Sequence, residues 1–211
     1  MSVHAVLPSL PQPRVGLILL SGDEACLTVG LLVGLRTATP IRPLLVVDGA
    51  NSFNPYLLSD LARRLGQAPG VLLASVYLSR VFTAYQLEAA VSDRLAGAIA
   101  ARRPGGVLLA GVLDLLDDED VSPAEARRIF RRVLDTVTHL ASGPLPLVVA
   151  SPVRPPVPGR KGFLPQLHAA AAWAFAVASR DGGIEIVGEK PAGGRWRWEP
   201  AIALLAARRF S

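Results

Sequence analysis

One continuous stretch, residues 44–95, constrains the fold more than any other part of this chain. It opens with an apolar run, residues 44–48, which ends in Asp48 and is typical of a strand buried in a parallel sheet. Asn54 and Pro55 follow at the spacing of a helix N-cap and a first helical residue. The sequence therefore predicts a buried strand, a turn that carries an acid, and a helix.

The same order repeats in the second half of this stretch. Residues 71–77 are largely apolar and predict a second strand. Thr83 and Gln86 then have the spacing of a capping box, so a second helix is expected to begin there and to extend to about Arg102. A strand–helix–strand–helix order predicts a parallel sheet, because parallel neighbours need a crossover connection.

Other segments extend this pattern on both sides. Buried strands are predicted at residues 15–20, 107–111 and 145–151, and a helix follows each of the first two. From residue 173 onward, apolar residues alternate with alanines, and two turns divide the remainder into an antiparallel meander. The predicted fold class is α/β: a central, mainly parallel sheet flanked by helices, with a C-terminal antiparallel extension.

The composition sets the expected number of domains and the compartment. With 211 residues, 51% of them hydrophobic, the chain can bury one sizeable core. We therefore expect a loosely attached lead-in at residues 1–14 and a single domain at residues 15–211. Cys26 is the only cysteine, so an internal disulfide is ruled out and a reducing compartment is expected. The longest apolar region is interrupted by Asp23 and Glu24, which argues against a membrane span.

Two motifs in the central stretch carry a family resemblance. Asp48 is followed by residues 52–57, which read SFNPYL, and residues 80–87 read RVFTAYQL. In this order and at this separation, they resemble the core of the RecA-superfamily recombinases, in particular the archaeal and eukaryotic branch and its accessory paralogues. The resemblance implies a RecA-like P-loop NTPase fold.

The resemblance also places a phosphate-binding loop at the turn after the first strand. The residues that fall on this loop are Gly22, Asp23, Glu24, Cys26, Leu27 and Thr28. If Thr28 takes the hydroxyl position, Leu27 stands where the family has its lysine. Two acids also lie at a helix N-terminus, which otherwise favours anions. The loop is therefore predicted to be degenerate; the alternative is an ordinary strand-to-helix turn whose acids interact with the helix dipole.

A second departure from the family concerns hydrolysis and metal binding. The glutamate that polarises the attacking water in the family corresponds to Ala50. Losing one such preorganised group lowers a rate by about a hundred- to a thousandfold. Asp48 and Asp114 are the candidate metal ligands, although the acidic cluster around Asp114 is also typical of a solvated loop before a helix. ATP with magnesium is thus a disfavoured cofactor, and no catalytic residue is predicted.

Several basic residues of the C-terminal half are candidates for contact with single-stranded DNA. They are Arg154, Arg160 and Lys161, in a proline-rich loop predicted at residues 152–165 after the 145–151 strand, and Arg195 and Arg197, which alternate with two tryptophans. The net charge of +5 permits nucleic-acid binding without requiring it. The alternatives are a linker role for the loop and core packing for the tryptophans.

Three functions are compatible with these features. The first is a non-hydrolysing recombinase-like paralogue that acts as a DNA-binding or assembly subunit in DNA repair or recombination, with a protein partner or further copies of itself. The second is a DNA-dependent ATPase with an atypical phosphate loop. The third is a scaffold subunit of an unrelated complex. No membrane partner is predicted, and a cytoplasmic location is expected.

Overall fold

The structure is a computed structural model, which describes residues 15–155 and 162–198. The predicted lead-in and the candidate residues Arg160 and Lys161 lie outside the described residues. The strands are β1 (Leu17–Gly22), β2 (Leu44–Asp48), β3 (Val76–Arg80), β4 (Gly106–Ala110), β5 (Leu147–Pro152), β6 (Trp173–Arg180), β7 (Gly183–Lys190) and β8 (Ala192–Trp198). The helices are α1 (Ala25–Leu35), α2 (Pro55–Arg64), α3 (Pro69–Leu73), α4 (Ala84–Glu88), α5 (Leu95–Arg102), α6 (Val112–Leu116), α7 (Pro123–Ala141) and α8 (Phe163–Ala170), and a π-helical segment, Ala89–Arg94, joins α4 to α5.

These strands form a single sheet in the order β3-β2-β4-β5-β1-β6-β7-β8. Every pairing from β3 across to β6 is parallel. The pairings of β6 with β7 and of β7 with β8 are antiparallel. The predicted fold class, a mainly parallel sheet flanked by helices with a C-terminal antiparallel extension, is therefore confirmed.

Helices cover both faces of the sheet, because successive side chains of a strand point to opposite sides. Ile18 and Leu20 of β1 belong to the apolar cluster that contains α1 and α2. Leu17 and Leu19 belong to the cluster that contains α4, α7 and α8. All four side chains are buried. The result is a three-layer α/β/α arrangement in which the central strands are covered on both sides, as their uninterrupted apolar sequences require.

Helix α1 lies close to the sheet because glycines face the strands. A Cβ on Gly30 would lie 2.7 Å from the Cβ of Ala150, and a Cβ on Gly34 would lie 2.8 Å from Cδ1 of Leu44. Both distances are shorter than real carbon–carbon contacts, so a larger residue at either position would push the helix outward. This close packing fixes the start of α1 beside the carboxyl end of β1.

The N-caps predicted for α2 and α7 are confirmed. The side-chain oxygen of Asn54 accepts a hydrogen bond from the Tyr56 N–H at 2.9 Å. The hydroxyl of Ser122 accepts one from the Glu125 N–H at 3.2 Å. Both helices then continue with proline at the first helical position, where a missing N–H has no consequence.

The strand predicted at residues 71–77 is wrong in its position. Residues Pro69–Leu73 form the short helix α3, and the strand begins only at Val76. Pro69 has the fixed φ that favours a first helical residue, and Val71 is exposed, so this apolar run is not a buried strand.

The interpretation of the acidic cluster as a loop is also wrong in part, since Asp114 lies within α6. The loop predicted to continue to residue 165 ends earlier, because α8 begins at Phe163. Both helices are short, at five and eight residues, and apolar runs of that length do not distinguish a helix from other structure by periodicity.

Candidate functional site

Most of the predicted site residues lie at one end of the sheet, at the carboxyl ends of the parallel strands β1, β2, β4 and β5. Strands β1 and β5 are neighbours, but the helices that follow them lie on opposite faces: α1 on one and α8 on the other. In open α/β sheets, such a change of direction leaves a crevice outside the carboxyl ends of the two strands, where ligands commonly bind. The turn after β1 and the segment after β5 therefore define the candidate site.

The turn after β1 begins at Gly22, whose φ is +141°. A Cβ at this position would lie 1.8 Å from the carbonyl oxygen of Val177 in β6, so only glycine fits. The next residue, Asp23, donates its N–H to the same oxygen at 3.1 Å. Strand β6 therefore closes one side of the turn.

The carboxylate of Asp23 occupies the N-terminal end of α1. Its Oδ1 accepts a hydrogen bond from the Ala25 N–H at 2.8 Å, and its Oδ2 accepts one from the Ser179 N–H at 2.5 Å. The N–H groups of residues 26 and 27 donate to carbonyl oxygens of the same turn at 3.0 and 3.2 Å. The first amides of the helix, which are the groups that bind phosphate at such sites, are thus already hydrogen-bonded within the protein.

An arginine joins the two loops of the site. Arg154 Nη2 lies 2.6 Å from Oε1 of Glu24, and Arg154 Nε lies 3.1 Å from Oδ1 of Asp114. The hydrogen bond that Arg154 donates to Asp114 is the main reason that the pKa of Arg154 is raised above its usual value. A candidate DNA contact and a candidate metal ligand therefore bind each other, and the same side chain forms ion pairs with both carboxylates.

The remaining loop positions leave little room for a ligand. Cys26 and Leu27 are buried, whereas Thr28 is half-buried and lines a cavity of about 10 Å³ together with Asp48 and Phe53. This is about the space that one water molecule requires, and a small-molecule site typically has a volume of several hundred Å³. This cavity is therefore too small for a nucleotide.

Asp48 is the other acid that the sequence singled out, and it is 1% exposed. Its Oδ1 accepts hydrogen bonds from the N–H and the hydroxyl of Ser52 at 3.0 and 3.2 Å, and its Oδ2 accepts one from the Phe53 N–H at 2.9 Å. Arg80 Nε lies 3.9 Å from Oδ2. In this structure the carboxylate therefore orders the turn between β2 and α2.

Ala50 lies against the start of α6. A Cβ on Gly111 would lie only 2.5 Å from the Cβ of Ala50, and Gly111 has a φ of +67°. The two loops after β2 and β4 therefore touch at these residues. The methyl group of Ala50 cannot bind or orient a water molecule.

The candidate metal ligands at the carboxyl ends of these strands do not come together in the structure. Within residues 15–155 and 162–198, no three His, Cys, Asp or Glu side chains come together in a group that could hold a metal ion. The two candidate ligands each have other partners: Asp48 binds backbone amides, and Asp114 binds Arg154.

The tryptophan-bearing strand β8 lies away from this site, at the far edge of the sheet. Arg195 Nη1 lies 2.7 Å from Oε1 of Glu185, and Arg197 donates to a backbone carbonyl of the β6–β7 turn at 3.4 Å. The half-buried ring of Trp196 packs edge-on against Phe175, with 5.7 Å between the ring centroids. The structure thus separates Arg195 and Arg197 from Arg154 and gives each of them an acceptor within the chain.

Sequence reasoning missed several exposed apolar side chains on β3, at the start of α2 and around the start of α4. They are Tyr56 (76% exposed), Tyr77 (43%), Leu78 (39%), Phe82 (64%) and Tyr85 (54%). An apolar run in the sequence suggests burial, and nothing in the sequence shows that β3 is the terminal strand of the sheet. Aromatic residues on an open surface are a feature of protein interfaces.

No protein-family model matches this chain, and no curated protein matches it. Among the helices of the described residues, none combines the length and the apolar character that crossing a bilayer requires. Function must therefore be inferred from the site and from the motifs.

Proposed function

We propose that this chain is a RecA-like core that does not hydrolyse ATP and that acts as a binding or assembly subunit in DNA repair or recombination. Two positions support the resemblance: Asp48 closes β2, and residues 80–87 run from the end of β3 into α4. The turn on which the family binds phosphate follows β1, an interior strand of the sheet. The link to DNA repair rests on the resemblance of the motifs alone.

The observation that carries the proposal is the carboxylate of Asp23 at the start of α1. It hydrogen-bonds the amide of Ala25 and places a negative charge where a phosphate would have to bind. A phosphate would therefore meet repulsion instead of free donors. The position of the family's lysine is filled by Leu27, which is buried and uncharged. Both departures weaken phosphate binding for different physical reasons.

Calorimetry with ATP and magnesium tests this function directly. The wild-type chain is expected to release no heat of binding with ATP at millimolar concentration and to release phosphate only at the background rate. Asp23→Ala removes the carboxylate and leaves the N–H groups of Ala25 and Ser179 without this acceptor. This variant is therefore expected to gain weak, salt-sensitive phosphate binding without turnover. Glu24→Gln is the matched control, because Glu24 pairs with Arg154.

One result would show instead that the chain is an active ATPase. A magnesium-dependent phosphate release by the wild-type chain that Thr28→Ala abolishes would show that the loop still binds nucleotide. If the wild-type chain shows no such phosphate release, a titration with single-stranded DNA separates the DNA-binding subunit from the scaffold subunit of an unrelated complex. Only the first of these is expected to bind the DNA.

The assembly part of the proposal is supported by the exposed aromatic residues around β3. Tyr56 and Phe82 are each more than half exposed, and exposed aromatic side chains are enriched where proteins associate. A core that has lost its phosphate chemistry keeps such surfaces.

A further inference from the structure

The helices that cover one face of the sheet stop at β6 within the described residues. On the face of α1, the apolar cluster reaches across the antiparallel extension and includes Phe175, Ile184 and Trp198. On the opposite face, the cluster that contains α7 and α8 includes Ala174 at the start of β6 and no residue of β7 or β8. The second face of the extension is therefore open, and we call it the open face of β6–β8.

The middle of the open face is small and apolar. Val177 belongs to the cluster of α1, so its neighbours Ala176 and Ala178 point the other way. Val187 is paired with Ala176 across the two strands and lies on the same face. All three of these side chains are half-buried. They form a flat apolar surface that lets another element approach closely.

Arginines surround this apolar centre. Arg180 Nε lies 3.1 Å from Oε2 of Glu185, and Arg195 Nη1 lies 2.7 Å from Oε1 of the same carboxylate. The side chains of Arg180 and Arg195 are 66% and 71% exposed. Arg197 lies directly opposite Glu185 in the strand register, on the same face. Three guanidinium groups and one carboxylate leave this part of the face with a surplus of two positive charges.

The open face has the width of a helix. Adjacent strands lie about 4.8 Å apart, so three strands span about 10 Å, and a helix with its side chains is about 10–12 Å across. Helix α8 ends beside this face, where Lys190 of β7 donates to the carbonyl of Ala169 at 2.8 Å. A further helix would therefore continue the layer that α7 and α8 form, and would cover the apolar centre as the other helices cover the parallel strands.

The chemistry of this face favours a protein ligand over a single-stranded nucleic acid. Proteins that bind single strands stack the bases on aromatic rings in addition to contacting phosphates. All the aromatic side chains of these strands belong to the cluster of α1 or pack against it: Trp173, Phe175, Trp196 and Trp198. The open face therefore offers arginines and apolar contacts, and no ring on which a base could stack.

We propose that the open face of β6–β8 binds an acidic amphipathic helix of a partner protein. The apolar stripe of that helix covers Ala176, Ala178 and Val187, and its flanking carboxylates bind the surrounding arginines. Residues 199–211 contain two arginines and one glutamate, and the whole chain has a net charge of +5. The chain's own C-terminal residues and a second copy would thus both bring positive charge, whereas an acidic partner is attracted. This inference rests on the proposed assembly function and names the chemistry of its partner.

The probe is a labelled, capped peptide of about 18 residues, a length at which an isolated helix can form. It carries leucine at helical spacing on one side and glutamate on both flanks, and its binding to the full chain is followed by fluorescence anisotropy. The affinity is expected to fall as the salt concentration rises. A peptide with glutamine in place of glutamate is expected to bind about tenfold more weakly. A peptide of the same composition whose leucines do not share a helix face is also expected to bind about tenfold more weakly.

Variants of the chain locate the contact. Arg180→Gln combined with Arg195→Gln removes two of the surrounding charges and is expected to weaken peptide binding about five- to tenfold. Arg63→Gln is the matched control, because the side chain of Arg63 is also 66% exposed but lies on α2; it is expected to leave the affinity unchanged. Glu185→Gln removes the carboxylate that competes for the arginines and is expected to strengthen binding about two- to fivefold. A loss of structure could not produce such a gain.

Several results would overturn the inference. Absence of binding at millimolar peptide would do so, as would equal binding of the glutamine peptide or an affinity that the double arginine variant leaves unchanged. Binding of an oligothymidine that the double variant abolishes would assign the face to nucleic acid, and self-association in sedimentation that it abolishes would assign the face to a second copy. Peptide binding that appears only when residues 199–211 are deleted would assign it to the chain's own C-terminal residues. None of these results concerns ATP, so a failure here is distinct from a failure of the non-hydrolysing proposal.

Discussion

Asp23 supplies, at the start of α1, the acceptor that a helix N-terminus requires. Replacing it by alanine should lower the free energy of unfolding by about 1–2 kcal/mol, the usual effect of losing an N-terminal capping side chain. Asp23→Asn keeps an acceptor oxygen and should lower it by less. Urea denaturation of the wild type, Asp23→Ala and Asp23→Asn measures the difference, provided that the free energy of unfolding has the same dependence on urea concentration in all three proteins.

The neighbouring acid is the control for this prediction. Glu24 pairs with Arg154, and both side chains are close to half exposed. An ion pair of this kind contributes about 0.2–1 kcal/mol, so Glu24→Ala should destabilise the chain less than Asp23→Ala. Equal losses in both variants would mean that charge at the turn, and not capping of the helix, determines its stability.

Sequence reasoning located these residues more reliably than it assigned their contacts. Asp48 was expected at the end of a buried strand, and it is there. Its bonds to the amides of residues 52 and 53 depend on the shape of the turn, which no sequence pattern specifies. The contacts of Arg154 with Glu24 and Asp114 depend on the strand order, which brings the ends of β1, β4 and β5 together from distant parts of the chain.

At the scale of elements, a buried glutamate holds the α4 region to α7. Glu88 Oε1 lies 2.7 Å from Arg128 Nη1 and 2.9 Å from Arg132 Nη1, and its Oε2 accepts a hydrogen bond from Arg128 Nη2 at 2.8 Å. Glu88 is 7% exposed and directly precedes the π-helical segment. The hydrogen bonds from Arg128, more than any other interaction, lower the pKa of Glu88 to about 2.

This contact should make stability depend on pH. In the unfolded chain Glu88 titrates near its ordinary value of 4.5, so its contribution is fully present above that pH and is lost as the pH falls through about 2. Glu88→Gln should lower the free energy of unfolding by about 1–2 kcal/mol above pH 5, a value reduced because both arginines are half exposed. Urea titrations at several pH values should show the two proteins converging between pH 4.5 and 2.

The matched control is Glu125→Gln, which removes a more exposed partner of Arg128. Its effect on the free energy of unfolding should be smaller at every pH. A difference between wild type and Glu88→Gln that stays constant from pH 6 to pH 2 would contradict the role assigned to the ion pair.

Elements were predicted well where capping residues and long apolar stripes coincide, as in α2 and α7. They were predicted poorly at α3, where a short apolar run fits a helix and a strand equally. Burial decides between the two, and burial is a property of the whole sheet: β3 lies at its edge, so the run before it remains partly exposed.

At the scale of the whole molecule, several of the arginines that give the chain its basic charge form contacts within the chain. Arg154 and Arg195 each bind carboxylates, and Arg197 donates to a backbone carbonyl. An arginine already paired with an acid gains less from a phosphate, because the acid must first be released. Among the candidate DNA contacts, Arg160 and Lys161 are therefore the residues that we still expect to bind single-stranded DNA.

Binding of single-stranded DNA should accordingly be weak and should depend on salt through these two residues. Each phosphate contact contributes about 0.7 to the slope of log affinity against log salt on single strands, so two contacts give a slope of about 1.4. The variant that combines Arg160→Ala with Lys161→Ala should lose most of that slope. Arg195→Ala should leave the slope unchanged, because Arg195 is paired with Glu185. Fluorescence anisotropy with a labelled oligothymidine across a range of salt concentrations measures all three proteins. A double variant that retains the full slope, or an Arg195→Ala variant that loses about half of it, would move the DNA contact from the loop after β5 to strand β8.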